Sequence, residues 1–494
     1  MKPFYDVIII GGGVVGCMTA RALSRYQLDI LLIEAASDVG TGASAANTAI
    51  VHPGYDPPPG SLKAHLNVQG NRMWDELAGQ LHFDFERPGD YVVAVGEEEL
   101  PALERLLEQG RRNGVPGMQL ISADEMRRRE PNINPAVSGA LCASTGGICD
   151  PFGVTIAAAE NAVNNGVKLL METRFQDFLM DGKRIIGVRT SGGDFGCRWV
   201  VNAAGLYADE VMHKAGLHPE FKITPRRGEY YVFDRNEITI NNVLFPVPTK
   251  AGKGILVTTT VHGNTIAGPN AENLPDKEDR SVSAAGLQEV ASGAKKLVPG
   301  LEMRFTIALF AGLRAGGNAP SPNKAISYNA DFLVEISTEV QGLVNLAGIE
   351  SPGLSASPAI AAMAVDLLRD AGEKLVEKAG WNPERPARPC FRKLNPEQQA
   401  ELVRLHPSYG RIICRCENVT EGEILAELGG PIPVTNYDAI KRRTWLGTGR
   451  CQGGFDMPRL TAILSRELAK SPLEVTKKGP ASALLRRTTK GEAE

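Results

Sequence analysis

The beginning of the chain alternates between apolar runs and a glycine-rich turn. The run at residues 6–10 is unbroken and β-branched, as expected of a parallel strand buried on both faces. Apolar residues then recur at helical intervals between residues 17 and 27, and a second apolar run covers residues 30–33. The pattern predicts an α/β domain that opens with two parallel strands joined by a helix.

The turn before this helix has G-x-G-x-x-G spacing at Gly11, Gly13 and Gly16. The first glycine permits a tight turn, the second lets a pyrophosphate approach the backbone, and the third lets helix and strand pack closely. Amide groups at the helix start, with Val15 in the same turn, would bind the diphosphate, and Glu34 could accept hydrogen bonds from a ribose. The unit predicts a dinucleotide site but does not distinguish FAD from a nicotinamide.

Two later stretches of small residues are candidates for contact with the same ligand. The loop after Glu34 contains Ser44, Asn47 and Thr48 among alanines, so its backbone could lie against a bulky molecule. The apolar strand at residues 199–203 ends in a tight turn at Ala204-Gly205, which suits a second approach of backbone to the cofactor.

The pattern of apolar and polar residues changes twice in the middle of the chain. Residues from about 62 to 135 have the pattern of surface helices, and a further helix is predicted from Asp150 to Asn164. Residues 220–340 alternate between apolar and polar positions, with a hairpin signal around His262, and predict an antiparallel sheet. In that hairpin turn His262 is expected to be exposed to solvent.

The strand-then-helix pattern seen at the beginning of the sequence returns late in the chain. An apolar strand at residues 343–347 is followed by a predicted helix start at Ser357-Pro358. The predicted organisation is a domain at 1–370 with inserted helical (about 50–150) and sheet (220–340) parts, then a proline-rich linker at 371–409, a small helical domain at 410–468 and a disordered tail at 469–494.

Composition narrows the class of protein. The 494 residues carry 54 basic and 57 acidic side chains, so nothing favours a nucleic-acid partner. No apolar run is long enough for a transmembrane helix, and the first strand begins too early to leave room for a signal peptide. The eight cysteines are therefore expected to be reduced thiols or metal ligands of a cytoplasmic enzyme.

In order along residues 5–370, these motifs resemble the FAD-dependent D-amino-acid oxidase superfamily, in particular its glycerol-3-phosphate dehydrogenase-like and L-2-hydroxyglutarate oxidase-like branch. The resemblance implies a Rossmann-like FAD-binding domain with an antiparallel-sheet substrate domain. It implies FAD on Gly11–Gly16 and Glu34, and a segment that closes over the isoalloxazine with its helix amino end towards the flavin, at Gly348, Ser351, Gly353 and Leu354. No second G-x-G-x-x-G unit suggests a nicotinamide site.

The same resemblance supplies two candidate catalytic residues. Arg314 is expected to bind the anionic group of a substrate, because a guanidinium suits carboxylate and phosphate equally. His52 is expected to take the hydroxyl proton of an alcohol substrate, although Pro53 departs from the alanine expected beside it. Arg226, Arg227 and Lys253 are second-rank anion binders; a salt bridge for Arg314 and a purely structural role for His52 are the alternatives.

Near the carboxyl end, Cys414-x-Cys416 and Cys451-x-x-x-x-Asp456 resemble a bacterioferritin-associated-ferredoxin-like [2Fe-2S] domain whose fourth cysteine is replaced by aspartate. Three thiolates and a carboxylate could still hold a cluster. A zinc site and a domain that keeps the fold without metal remain the alternatives.

Three functions follow from these expectations. The first is a dehydrogenase that oxidises sn-glycerol 3-phosphate or a similar small anionic alcohol at flavin N5, with electrons leaving through the cluster to a partner flavoprotein or quinone. The second keeps the flavin but takes an L-2-hydroxy acid or an amino or imino acid. The third is an electron-relay subunit. The expected location is the cytoplasm, including the inner face of the membrane.

Overall fold

The computed structural model describes residues 3–218, 220–248, 254–318 and 331–488. Helix α5 starts where predicted, because the Asp150 side chain accepts a hydrogen bond from the Phe152 amide. The helices are α1 (Val14–Leu23), α2 (Leu62–Leu81), α3 (Leu100–Arg112), α4 (Ala123–Arg129), α5 (Pro151–Asn164), α6 (Ala208–Lys214), α7 (Ala284–Leu297), α8 (Gly353–Asp370), α9 (Pro396–Leu405), α10 (Glu421–Leu428), α11 (Tyr437–Thr444) and α12 (Met457–Glu467).

The strands form two large sheets and two small ones. In chain order they are β1 (Phe4–Ile10), β2 (Ile30–Ile33), β3 (Ile50–Val51), β4 (Phe85–Glu86), β5 (Asp90–Val95), β6 (Met118–Ser122), β7 (Val137–Ala143), β8 (Gly147–Cys149), β9 (Lys168–Leu170), β10 (Phe175–Asp181), β11 (Arg184–Thr190), β12 (Gly193–Asn202), β13 (Ile223–Phe233), β14 (Val243–Pro246), β15 (Leu256–Thr259), β16 (Thr265–Gly268), β17 (Glu272–Asn273), β18 (Thr306–Gly317), β19 (Leu333–Ile336), β20 (Leu343–Ala347), β21 (Ile412–Cys414) and β22 (Val419–Thr420).

The first sheet has a parallel centre in the order β9, β2, β1, β12, β20. The β10–β11 hairpin joins β12 and the strand β19 joins β20, both antiparallel. Alternate residues of β1 bury opposite faces: Val7 and Ile9 pack with α1, α5 and α8, whereas Ile8 and Ile10 pack with the hairpin and α6. The predicted Rossmann-like domain is confirmed, with helices covering a sheet buried on both sides.

The second sheet has nine strands and is antiparallel except for the pair β14 and β5. Its order is β17, β13, β16, β15, β14, β5, β7, β6, with β18 beside β13 over their whole length. Helices α4 and α7 cover one face and α3 covers part of the other. This sheet confirms the antiparallel substrate domain, and the β15–β16 turn confirms the predicted hairpin.

The helical prediction for residues 62–135 is wrong in part. Strands β5 and β6 lie inside that region and extend the second sheet. Nearly all of β5 is buried, so its apolar run has no alternation to mark it as a strand. By contrast, β19 falls within the predicted sheet region but belongs to the first sheet.

Helix α8 begins at Gly353, earlier than the predicted start at Ser357-Pro358. Pro358 lies inside the helix and has no amide hydrogen to give to the carbonyl four residues before it. The hydroxyl of Ser357 donates to that carbonyl, Leu354 O, at 2.8 Å instead. This substitution of donors lets the helix continue through the proline and places its amino end four residues nearer β20.

The carboxyl-terminal part is fastened to the first sheet's domain. In the predicted linker, Arg385 and Arg388 pair with the buried Glu160 of α5. Beyond it, α10–α12 and the β21–β22 hairpin form a module with its own core. The tail forms a bridge between Thr476 and Ala483, so the prediction of disorder is wrong up to residue 488. No helix in the described ranges is long and apolar enough to span a membrane.

Candidate cofactor and substrate site

The glycine-rich turn brings three backbone segments into contact. Gly11 has φ +107°, and a Cβ there would lie 2.5 Å from Ala203 O at the end of β12. A Cβ on Gly16 would lie 1.9 Å from Gly11 O. Because only glycine fits at both positions, β1, the first turn of α1 and the end of β12 meet as the fingerprint predicts.

Glu34 follows β2 and points back across the turn. Its Oε2 accepts from the Gly12 amide at 2.7 Å and its Oε1 from the Ala36 amide at 2.7 Å. Burial raises the pKa of the Glu34 carboxyl, and these amide hydrogen bonds act in the opposite direction. The carboxylate is therefore fixed by backbone at the position expected for the ribose contact.

The small-residue loop lies over the start of α1. Ser44 Oγ accepts from the Val14 amide at 2.9 Å, and Asn47 Nδ2 donates to Ala43 O and Ser44 O at 3.1 and 3.0 Å. The asparagine thus closes the loop on itself and the serine ties it to the helix start. This rigidity supports the prediction that the loop is a wall of the site.

These segments surround a cavity of about 1000 Å³ between the two large sheets, called here the FAD cavity. Its size is at the upper end of the range for cofactor pockets. Of the sixteen predicted cofactor and catalytic residues, Gly16 and Gly348 do not line it. The other fourteen do: Gly11, Gly13, Val15, Glu34, Ser44, Asn47, Thr48, His52, Ala204, Gly205, Arg314, Ser351, Gly353 and Leu354.

The residues of the cavity fit a dinucleotide. Gly11, Glu34 and Ala204 follow the carboxyl ends of three parallel strands, where ligands bind in sheets of this kind. At the other side of the cavity, Ser351 and Gly353 bring the amino end of α8 to the wall. A helix amino end favours negative charge, which a reduced flavin carries.

Arg314 lies on β18 with its guanidinium at the cavity wall. Its Nε donates to Arg226 O at 3.2 Å, and its Nη2 donates to Arg227 O at 3.0 Å and Asn270 O at 2.7 Å. All three acceptors are uncharged carbonyls. Burial lowers the pKa of Arg314, yet a guanidinium still keeps its proton at neutral pH. Arg314 is therefore a fixed cation, and not the surface salt bridge considered as the alternative.

The two neighbouring arginines on β13 are separated by the strand. Adjacent residues of a strand point to opposite faces. Arg226 lines the cavity, whereas Arg227 pairs with Glu272 at 2.6 Å and with Asp279 at 3.4 Å. Only Arg226 is placed to assist Arg314, and Lys253 lies outside the described residues.

His52 follows β3 and is buried at the cavity wall. Its backbone amide donates to Ser355 Oγ at 2.6 Å, and its Nδ1 accepts from the Gly54 amide at 3.2 Å. Nε2 lies 4.0 Å from Asp90 Oδ2. Because Nδ1 accepts, a neutral imidazole in this arrangement carries its proton on Nε2. A base role for Nε2 requires that proton to move to Nδ1 and the Gly54 contact to open.

Sequence reasoning missed a buried ion pair in the same wall. Lys63 Nζ donates to Glu350 Oε1 at 2.8 Å, and Glu350 lines the cavity beside the α8 amino end. Its carboxylate also lies close to Gly316, two residues beyond Arg314 on β18. Glu350 was visible as an acid in the return segment, but its partner comes from α2 and carries no local signal.

The C-terminal module contains four candidate ligands, called here the thiol site: Cys414, Cys416, Cys451 and Asp456. Sγ of Cys416 and Sγ of Cys451 are 3.3 Å apart. Burial, with the nearby Asp456, raises the pKa of the Cys414 thiol to about 12. Burial also raises the pKa of Cys451, but backbone amides and Cys416 lower it further than burial raises it.

One carboxylate oxygen of Asp456 has the surroundings expected of a metal ligand. Its Oδ1 accepts from Tyr437 Oη at 2.6 Å, whereas Oδ2 is buried without a hydrogen-bond partner among the described residues. An orphaned buried oxygen beside thiols fits the donor set of the predicted cluster. Within the described ranges, however, no three His, Cys, Asp or Glu side chains are placed to hold a metal ion.

His262 was expected to be solvent-exposed in its hairpin turn, and this is wrong. Its ring packs on Trp445 of the module with centroids 3.9 Å apart, and its Nδ1 accepts from Arg392 at 2.8 Å. Burial, with the neighbouring cations, lowers the pKa of His262 to about 2. The turn is covered by a module more than a hundred residues away in sequence, which no local pattern indicates.

Comparison with known proteins settles the family. A family model described as FAD dependent oxidoreductase matches residues 6–367. The chain belongs to this family. The FAD-dependent oxidoreductase is 42% identical to the glycerol 3-phosphate dehydrogenase of Caloramator mitchellensis, over 99% of this chain and all of that protein. It is 33% identical to the glycerol 3-phosphate oxidase of Mycoplasma genitalium, over 76% of this chain and 97% of that protein.

A solved structure gives the same result for the fold. The oxidoreductase matches the dithionite-reduced L-α-glycerophosphate oxidase of Mycoplasma pneumoniae, solved with FAD bound, with a TM-score of 0.72 and 31% identity. The match covers 78% of this chain and 99% of that one. The predicted FAD is thus supported by the family and by this neighbour, whereas the predicted iron–sulfur cluster finds no support in them.

Proposed function

We propose that this oxidoreductase is a dehydrogenase of sn-glycerol 3-phosphate, oxidising the secondary hydroxyl to a ketone. The observation that carries the proposal is Arg314, a half-buried cation fixed by three neutral carbonyls at the wall of the FAD cavity. The relative that is similar along the whole chain is named as a dehydrogenase of this substrate, which supports the choice.

Arg314 would bind the phosphate of the substrate. A charge-assisted hydrogen bond is about twice as strong as a neutral one, and a guanidinium can offer two to one phosphate. Arg226 lines the same cavity and would share the charge, while Tyr230 and Phe245 supply an apolar wall. The phosphate would thereby fix which carbon of the substrate faces the flavin.

His52 would handle the hydroxyl proton. When bound, FAD supplies the hydride acceptor. Loss of hydride from an alcohol carbon requires loss of the hydroxyl proton, and Nε2 of His52 would accept that proton in the tautomer protonated on Nδ1, once the contact with the Gly54 amide has opened. Asp90, 4.0 Å from Nε2, would stabilise the imidazolium that forms.

The C-terminal module is the region in which the relative named as a dehydrogenase and the relatives named as oxidases differ in coverage. The Mycoplasma relatives, named as oxidases, match a share of this chain close to that of the FAD-dependent region alone. The Caloramator relative, named as a dehydrogenase, matches the module as well. This difference supports electron transfer out through the module rather than directly to oxygen.

We propose a [2Fe-2S] cluster in the thiol site as the carrier of those electrons, with a partner flavoprotein or a quinone as the acceptor. Support comes from the 3.3 Å approach of Cys416 to Cys451 and from the orphaned Oδ2 of Asp456. Iron and acid-labile sulfide measured on protein purified without oxygen test this part. Zinc alone, or no metal, would overturn it without affecting the assignment of sn-glycerol 3-phosphate as the substrate.

Anaerobic bleaching of the bound flavin tests the substrate. sn-Glycerol 3-phosphate should bleach it, and glycerol, which has the same reacting carbon but no phosphate, should not. Bleaching by L-2-hydroxyglutarate or an amino acid in preference would assign the second class of substrate, and no bleaching by any small anion would favour a relay subunit. His52→Gln should slow bleaching by about 100-fold if the proton is transferred in the same step.

A further inference from the structure

The C-terminal module, taken as residues 410–488, contacts the loop that follows Glu34. Asp38 in this loop is fully buried and pairs with two module arginines, Arg442 at 2.7 Å and Arg443 at 2.7 Å. Burial raises the pKa of Asp38, but the two guanidinium groups lower it further, so that it lies below its usual value. One carboxylate thus faces two cations, and Arg443 also lies 3.8 Å from the carboxylate of Glu427, whereas Arg442 has Asp38 as its ion-pair partner.

A second set of contacts reaches the same loop from the tail. Ser37 Oγ donates to Lys478 O at 2.9 Å and accepts from Asn436 Nδ2 at 3.1 Å. Gly479 lies so close that a Cβ on it would be 2.7 Å from Ser37 Oγ. The tail is therefore seated against the ribose-binding end of the first sheet.

Three residues of the module line the FAD cavity itself: Asp438, Arg442 and Lys478. Their neighbours Ser37 and Asp38 follow Glu34 by three and four residues, so they stand at the Glu34 end of the cavity. Arg442 has two nitrogens on Asp38, which leaves Nη1 without a hydrogen bond among the described residues. Two cations of the module, together with the carboxylate of Asp438, thus face the half of the cavity expected to hold the adenosine diphosphate.

We propose that the C-terminal module is part of the FAD site and that Arg442 and Lys478 bind the adenosine-diphosphate half of the cofactor. A diphosphate carries negative charge that the α1 amino end neutralises only in part. A partly buried guanidinium at the same end adds an electrostatic contact that water screens weakly. The inference does not depend on which substrate is oxidised or on what the thiol site holds.

The shorter relatives indicate how much the module can contribute to FAD affinity. The Mycoplasma pneumoniae oxidase matches only 78% of this chain and was solved with FAD bound. The core of the site therefore suffices for binding in that protein, and the module is expected to add affinity rather than create it. A loss of about ten-fold in FAD affinity is expected when the Arg442 contact is removed.

Reconstitution of full-length apoprotein tests the proposal. FAD dissociation constants are measured by quenching of flavin fluorescence for wild type, Arg442→Gln and Lys478→Ala. Arg411→Gln is the matched control, because Arg411 is an exposed arginine of the same module that pairs with Glu421. We expect weaker FAD binding by about ten-fold for Arg442→Gln, about three-fold for Lys478→Ala, and no change for the control.

Separate binding measurements with ADP and with FMN show which half of the cofactor Arg442 contacts. ADP as a competitor of FAD should lose affinity in Arg442→Gln, whereas FMN, which lacks the adenosine monophosphate, should not. Unchanged FAD and ADP binding in both cavity variants would overturn the proposal, as would an equal loss for FMN and ADP. If Arg442→Gln does not fold, FAD and ADP binding are measured in Lys478→Ala and Arg442→Lys instead. The first variant removes an exposed side chain, and the second keeps a positive charge beside Asp38.

Discussion

The FAD cavity and the thiol site differ in what holds their polar groups before a ligand arrives. In the FAD cavity, Glu34 and Arg314 are fixed by backbone amides and carbonyls, and their chemistry faces open space. In the thiol site, side chains hold the candidate ligands: Cys416 contacts Cys451, a second candidate ligand, and Asp456 accepts a hydrogen bond from Tyr437. A site held by its backbone keeps its shape when empty, whereas a site held by its own ligands must rearrange to bind.

The comparison predicts that backbone contacts are the most sensitive part of the FAD cavity. Gly16→Ala would place a Cβ 1.9 Å from Gly11 O, and no flexible side chain can move aside there. We expect destabilisation of at least about 3 kcal/mol and purified protein nearly free of FAD. Gly79→Ala on the exposed face of α2 is the control, since its Cβ meets nothing within 4 Å. Normal FAD content in Gly16→Ala, measured by absorbance, would contradict the close approach.

The second prediction concerns the fixed cation. Arg314→Gln should lower kcat/KM for sn-glycerol 3-phosphate by about 100-fold or more, because it removes a charged partner of the phosphate in a buried setting. Oxidation of glycerol, forced at high concentration, should change little. Arg304→Gln serves as control, with a side chain 72% exposed outside the cavity. An equal loss for both substrates would indicate a structural role for Arg314 instead.

For the thiol site the comparison predicts a gain rather than a loss. Asp456→Cys would supply a fourth thiolate, so we expect several-fold more iron and sulfide to remain on the protein after anaerobic reconstitution. Asp456→Asn keeps an acceptor for Tyr437 but removes the charge, and it should retain less iron than wild type. Equal iron on all three proteins would show that position 456 does not contact the cluster.

The smallest effect is expected at the contact between the module and the second sheet. The pKa of His262 is about 2 in the folded protein, below its ordinary value near 6.5. Below about pH 6.5 the His262 ring therefore binds a proton in the unfolded chain but not in the folded one. The free energy of unfolding falls as the pH drops through this range. Between pH 7.5 and 5.5 wild type should lose about 1 kcal/mol more than His262→Gln.

Thermal unfolding at the two pH values measures this difference. His65→Gln is the control, because His65 is exposed on α2 and should leave the pH dependence of wild type in place. A pH dependence in His262→Gln as steep as that of wild type would mean that the ring is protonated in the folded protein. The expected result would show that the module is bound to the sheet in solution.

How much the sequence could predict follows from how local each signal is. The fingerprint from Gly11 to Glu34 was recognised because strand, turn and helix depend on neighbours a few residues apart. Strand β5 was missed because it is buried on both faces and its apolar run lacks alternation. The start of α8 was misplaced because Ser357 supplies the hydrogen bond that Pro358 lacks, a compensation that helix-start rules do not contain.

The site shows the same division. Fourteen of the sixteen predicted residues line the cavity, and they were found in short motifs of neighbouring residues that resemble a known family. The Lys63–Glu350 pair and the Trp445–His262 contact were not predictable, since each joins segments far apart in the chain. Such pairs are set by tertiary structure, and neither partner has a composition or spacing that marks it.

The span of the FAD cavity along the chain has a consequence for synthesis. Its lining begins at Ile10 and ends at Lys478, and β20 joins β12 only after some 340 residues have been made. Domains made at the ribosome fold as units once their last element emerges. A nascent chain of this protein would present an unclosed cavity until its final segment is released, so the cofactor meets the full lining of its site only in a nearly complete polypeptide.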